Sequence, residues 1–138
     1  MIAIKVTDNI TPRLLVKYMR LSKQWEMGLK AAGRFVLEES QKIVPYDTGA
    51  LHDSGKTYDA GRGGWKTDVV IQYGGPELEA KSKSGYDYAL IQHETPPPIY
   101  THPAPRRYKY IESVVREQLA AIVKIVAAYT NVKTKGKK

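Results

Sequence analysis

Val44-Pro45-Tyr46-Asp47-Thr48-Gly49-Ala50-Leu51 is the stretch on which the reading of this 138-residue chain turns. Pro45 ends any helix that reaches it, because the residue before a proline avoids the helical region. Asp47 can accept backbone amides in an Asx turn, Thr48 can do so more weakly, and Gly49 permits a positive φ. Ala50 and Leu51 then turn back onto a core. The segment predicts a helix-to-strand corner without any reaction being invoked.

Upstream, Leu15, Tyr18, Ser22, Trp25, Leu29, Ala32, Val36 and Ile43 recur at steps of three, four or seven, which keeps one face of a long helix towards a core. Lys17, Arg20, Lys23, Lys30, Arg34, Glu38 and Lys42 take the opposite side. Gly28 and Gly33 mark places where this helix bends or is closely approached. Thr11 can cap free amides and Pro12 suits a first helical position, so the helix is expected to start there. Before it, Ile2, Ile4 and Val6 alternate with Ala3 and Lys5 at the period of a short strand.

Downstream, Ser54 to Tyr58 and Trp65 to Tyr73 read as a hairpin joined by the glycine-rich Asp59 to Gly64. Residues 74–85 carry no sustained period and read as an exposed loop, and Tyr86 to His93 as a third strand. Pro96, Pro97 and Pro98 must leave the sheet, since prolines donate no ladder hydrogen bonds. From Tyr108, Ile111, Val115, Leu119, Ile122, Val126 and Tyr129 repeat at helical spacing. The order predicts an α+β fold: a long N-terminal helix and a C-terminal helix on one face of a small, mainly antiparallel sheet, made of the N-terminal strand and a three-stranded meander. Residues 1–130 form the expected single domain, and residues 131–138 a basic, flexible tail.

A composition of 42% apolar and 26% charged residues is that of a globular chain, not a disordered one. With no cysteine, disulfides, thiol nucleophiles and thiolate metal sites are excluded. No window approaches the ~20 apolar residues of a membrane span, so a soluble protein with no membrane partner is expected. The net charge of +8 is uneven: residues 1–100 carry 13 Lys and Arg against 12 Asp and Glu, whereas residues 101–138 carry 9 against 2. Such a basic end suits a polyanionic neighbour, a solvated tail being the plain alternative for Lys133, Lys135, Lys137 and Lys138. Arg106, Arg107 and Lys109 interleave with Tyr108 and Tyr110, a pattern that permits stacking and phosphate contact. Together these residues are the candidate DNA-facing or interface set. Ten Tyr and two Trp against one Phe favour half-buried surfaces and interfaces.

Asp47-Thr48-Gly49-Ala50 also resembles the catalytic tetrapeptide of aspartic proteases. In those enzymes an apolar strand precedes the aspartate, whereas here a helix ending in Val44-Pro45 does, which ranks the corner ahead of catalysis. His52, His93 and His102 lie on separate predicted elements without the spacing of a zinc site. A hydrolytic Ser54–His93–Asp set lacks a nucleophile-elbow sequence. Gly61-Arg62-Gly63-Gly64 lacks the Lys-Ser/Thr and helix of a phosphate loop. Neither catalytic residues nor a cofactor or metal are expected.

The corner and its neighbours resemble a known family, the small neck, tail-completion or minor capsid proteins of long-tailed bacteriophages. Val44, Pro45, Asp47, Thr48, Gly49, Leu51 and Ser54 match its Val-Pro-x-Asp-Thr-Gly-x-Leu-x-x-Ser segment. Tyr88-Ala89-Leu90-Ile91-Gln92-His93-Glu94 is similar to a later Tyr-Ala strand ending in His-Glu. His102-Pro103 with Tyr108-Lys109-Tyr110-Ile111 is similar to the His-Pro entry of the last helix. The chain departs from the family in its triple proline and in lacking a glycine just after His102-Pro103. The resemblance implies a structural, non-enzymatic virion subunit made in the host cytoplasm and placed at the head-tail junction. It implies a ring of copies, commonly sixfold, meeting head-closure or connector proteins and tail-tube or tail-terminator proteins. Double-stranded DNA would pass through the ring with weak, non-specific contacts. A small non-specific nucleic-acid-binding protein using the basic end is the alternative.

Overall fold

The computed structural model describes residues 12–76, 78, 88–99 and 101–131, the side chains of residues 12–14 excepted. The expected strand at Ile2 to Val6, the Thr11 cap, most of the 74–85 loop and Lys133, Lys135, Lys137 and Lys138 lie outside these residues. The described chain is mixed: helix α1 (Pro12–Ile43), a single turn α2 (Ala50–Asp53), strand β1 (Lys56–Asp59), a 3-10 turn (Gly64–Lys66), strand β2 (Val69–Gln72), then helices α3 (Tyr88–Glu94), α4 (Tyr110–Glu117) and α5 (Leu119–Thr130).

At 32 residues α1 is about 48 Å long at 1.5 Å per residue, and the other elements are arranged along it. β1 and β2 pair antiparallel with Lys56 opposite Gln72 and Asp59 opposite Val69. The expected hairpin therefore forms, although Trp65 belongs to the connecting 3-10 turn instead of the strand. A Cβ on Gly61 would lie 2.0 Å from the Lys66 carbonyl, so only glycine lets the two sides of that connection close. One strand face meets α1. There Gly33 admits Val69, whose Cγ1 would sit 2.4 Å from any added Cβ. Lys30 bridges Glu26 at 2.9 Å and Asp59 at 3.0 Å, tying the end of β1 to the helix.

α5 packs along α1 with Val126 and Tyr129 over Gly28, where an added Cβ would meet both at 3.2–3.3 Å. Gly28 and Gly33 are thus points of close approach, one to a helix and one to a strand. Both C-terminal helices pack chiefly along α1. They are separated by a kink at Gln118, with φ −104° and ψ 17°. The single C-terminal helix expected from periodicity is therefore two.

The third strand expected over Tyr86 to His93 is corrected: Tyr88–Glu94 is helical. Among the described residues the sheet has two strands, not a three-stranded meander. The run Tyr88-Ala89-Leu90-Ile91-Gln92-His93-Glu94 buries Ala89 and Gln92, three apart, which is a helical and not an alternating pattern. No described helix is long and apolar enough to cross a membrane.

Candidate functional site: a junction of three segments

The core cluster sits where α1 ends. Val44, Leu51, Tyr73, Ala89 and Tyr110 form it, with Val44 fully buried and Leu37, Ile43, Ile71 and Ile111 packed around. The last helical bond of α1 runs from the Val44 amide to the Ser40 carbonyl at 2.8 Å. Pro45 then leaves the carbonyls of the final turn without helical donors, as every helix end must.

The donors come from far along the chain. Arg107 donates its amide to the Ile43 carbonyl at 2.9 Å. Arg106 donates Nη1 to the Val44 carbonyl at 2.7 Å. A guanidinium at a helix C-terminus also meets the negative end of the helix dipole. The same group lies 4.8 Å from the centre of the Tyr46 ring, which meets His52 edge-on from another side.

The corner keeps the expected proline stop and left-handed glycine, but a helical turn, α2, and not a strand directly follows it. Gly49 has φ 86°, and a Cβ there would approach the Tyr46 hydroxyl at 2.8 Å. Asp47 is exposed, and the turn is held instead by Thr48, whose Oγ1 accepts the Ala50 amide at 3.3 Å. Ser54 closes the corner: its Oγ donates to the Leu51 carbonyl at 2.6 Å and accepts the Gly74 amide at 2.9 Å.

α3 supplies the third side. The Tyr110 hydroxyl donates to the Ala89 carbonyl at 2.9 Å, and the Lys109 amide to the His93 carbonyl at 2.8 Å. Lys109 takes a positive φ of 55° to do so. Its ammonium pairs with Glu94 and Glu112. That ammonium, and then His93, holds the Glu94 carboxyl below its usual range. The Tyr110 ring meets Tyr73 and His93 edge-on at 5.1 and 4.8 Å.

Beneath this lies a buried polar pair. The Tyr73 hydroxyl and Ser40 Oγ are 2.6 Å apart, and Ser40 donates onward to the Leu37 carbonyl at 2.8 Å. Burial raises the Tyr73 phenol, partly offset by the Ser40 hydrogen bond.

The structure therefore joins Val44, Pro45, Thr48, Gly49, Leu51 and Ser54 with Arg106, Arg107 and Lys109 in one junction. The three basic groups are engaged inside the chain, Arg107 also with Glu117 at 2.7 Å. Ser40 is the member that sequence reasoning did not single out, although it falls four residues after Val36 on the apolar stripe. Ala89 and Tyr110 stood in the quoted motifs and Tyr73 at the end of a predicted strand, but their meeting in one core was not read from the sequence.

As chemistry the junction offers little. Ser54 Oγ is committed to backbone groups, so no Ser54–His93 relay exists. A cleft of about 250 Å³ beside the junction is lined by Ile71, Tyr73, Leu90, His93 and Ile111, among others. The His93 Nε2 is buried without a hydrogen-bond partner among the described residues, while Nδ1 meets Glu94 at 2.7 Å. Among the described residues no three His, Asp or Glu side chains cluster as a metal site. Compared with protein-family models, curated proteins and solved structures, the chain matches none.

Proposed function

We propose that this chain is a structural virion protein of a long-tailed phage, a neck or tail-completion subunit that joins the head connector to the tail and forms part of the DNA channel. One observation supports it most. The three segments that carry the family resemblance, residues 44–54, 88–94 and 102–111, are far apart in sequence yet close on one another through Arg106, Arg107, Lys109 and Tyr110. A shared order of motifs then has a physical reason, because each satisfies groups the others leave open.

On this reading the subunit acts as a ring, commonly sixfold in the family, between head-closure or connector proteins and tail-tube or tail-terminator proteins. Genomic double-stranded DNA passes through it with weak contacts. The nucleic-acid-binding alternative is less well supported, because Arg106, Arg107 and Lys109 direct their donors into the chain.

The test is removal of the gene from the phage that encodes it, followed by electron microscopy of lysates. Filled heads and separate tails are expected, with joining restored by the gene in trans. Joined, infectious particles without the protein would end the proposal.

A further inference from the structure

Arg106, Arg107 and Lys109 turn their donors into the chain, so a surface that meets a polyanion has to be built from other cations. α1 supplies them. Arg20, Lys23 and Arg34 are all exposed and fall within ~60° of one another around the helix. Arg20 and Arg34 form no ion pair or hydrogen bond among the described residues, and Lys23 makes only a 3.5 Å contact with Glu26. Glu26 is the one carboxylate between Arg20 and Arg34, and it faces the hairpin with 13% of its side chain exposed, held by Lys30 and the Gly64 amide. The three cations thus form a ridge ~21 Å long that no carboxylate interrupts, ending at Glu38 one turn beyond Arg34.

The ridge borders a groove. A cleft of about 470 Å³ between α1 and β1 is lined by Lys30, Arg34, Thr57, Tyr58, Asp59 and Val69. Lys30 pairs with Asp59 across it at 3.0 Å, so the net charge of the groove is that of Arg34. The neighbouring connection, held on Ser22 and Glu26, adds Arg62 and Lys66 against Asp68, all three exposed. What lies on the ridge is as telling as its charge. Met27 is the only large apolar side chain exposed on α1 between Arg20 and Arg34, whereas a protein partner needs an apolar centre to bury. No exposed aromatic ring stands on that stretch for unpaired bases to stack on. Two of the three cations are arginines, whose forked donors match a phosphate.

We propose that the ridge of Arg20, Lys23 and Arg34 is the surface with which this chain meets the phosphate backbone of double-stranded DNA, one phosphate lying over the groove at Arg34. The inference rests on the neck reading for the identity of the polyanion, and on the ridge for where it touches. A duplex carries one charge per ~1.7 Å of its axis, so about 12 phosphates pass a ridge of this length and three cations engage only a few of them. The contact is therefore weak. Directed at backbone and not at bases, it is also indifferent to sequence, which suits a duplex that has to move past.

Fluorescence anisotropy of a labelled short duplex with the full-length protein, repeated over a range of salt, tests this. One variant carries Arg20→Gln, Lys23→Gln and Arg34→Gln. A control carries Arg116→Gln and Lys124→Gln, exposed cations of α4 and α5. Circular dichroism checks that both fold. The wild type should bind at low salt. The ridge variant should lower the slope of log K against log salt by ~0.9 for each lost contact, about 2.7 in all, and the control should leave it unchanged. The same loss should appear in a background with Lys133, Lys135, Lys137 and Lys138 replaced by Gln, which separates the ridge from the basic end. A wild type without affinity at low salt, a ridge variant with the wild-type slope, or a control that loses as much would overturn the proposal. So would poly-glutamate that binds the ridge more tightly than the duplex, since the partner would then be an acidic protein. The phage deletion decides the neck reading separately: DNA contact through the ridge without a role in joining would spare this surface and end that reading, and the reverse pair of results would do the opposite.

Discussion

Replacing Arg106 by Met separates a structural guanidinium from a DNA-binding one. The wild-type group donates to the carbonyl of fully buried Val44 and lies over Tyr46. A hydrogen bond from a charged group contributes about 1.5–3 kcal/mol, and losing it leaves that carbonyl without its donor. A half-exposed cation–π contact adds about 0.5–1 kcal/mol. The expected cost is about 2–4 kcal/mol, a fall in Tm of roughly 10 °C for a domain of this size. Urea unfolding measures it, with Lys17→Met as an exposed control expected within about 0.5 kcal/mol of wild type. Tyr46→Ala in both backgrounds isolates the ring's share. Affinity for a DNA duplex against salt gives the opposing readout. A phosphate contact would reduce the slope of log K against log salt by ~0.9, whereas a helix cap leaves it unchanged. A stability loss under about 0.5 kcal/mol, or a reduced slope in folded protein, would refute the capping role.

Ser40→Ala strands the buried Tyr73 hydroxyl and should cost ~1–3 kcal/mol, more than Tyr73→Phe at ~1, because Ser40 keeps its bond to Leu37. Denaturant melts of both and of the double variant check this, equal or reversed costs counting against it. Gly49→Ala should cost ~1–2 kcal/mol for its left-handed backbone and Gly49→Asn clearly less, an order readable by thermal unfolding. The Glu26 carboxyl is lowered from 4.5 to about 2, first by the Lys30 hydrogen bond and then by the Gly64 amide. Its folded value lies below its unfolded one, so its contribution is complete above pH 4.5 and is lost as pH falls towards 2. Glu26→Gln should flatten the acid limb of the stability curve in that window, and an unchanged limb would show that the Lys30 and Gly64 contacts do not form.

The extent of α1 was legible because its signals agree: a proline at each end and an apolar stripe between. The hairpin was legible from β-branched residues around a glycine-rich turn. Tyr86 to His93 misled because Tyr, Leu and Ile in a short run suit either element, and only burial three residues apart, at Ala89 and Gln92, tells helix from strand. The Gln118 kink had no sequence signal, since the apolar repeat runs through it from Ile111 to Tyr129 and Gln is an ordinary helix former. Within the site, the glycine and proline roles were readable because they are properties of single residues. The roles of Arg106 and Lys109 were not, since a basic residue looks the same in sequence whether it faces a phosphate or a carbonyl 62 residues away.

That separation also explains why the order of the segments carries more weight than any one of them. A Pro-x-Asp-Thr-Gly corner is a local solution that any protein can use. It leaves the Ile43 and Val44 carbonyls for something else to satisfy, and here the something else is Arg106 and Arg107. Those residues are positioned only because Lys109 and Tyr110 are fixed on the carbonyls of His93 and Ala89. The corner, the α3 helix and the entry to α4 thus close a single loop of dependence. Losing one segment exposes unsatisfied groups in the other two, so the three should persist or be lost together. Such a unit needs no reaction at its centre; what it does is hold the end of a long helix rigidly.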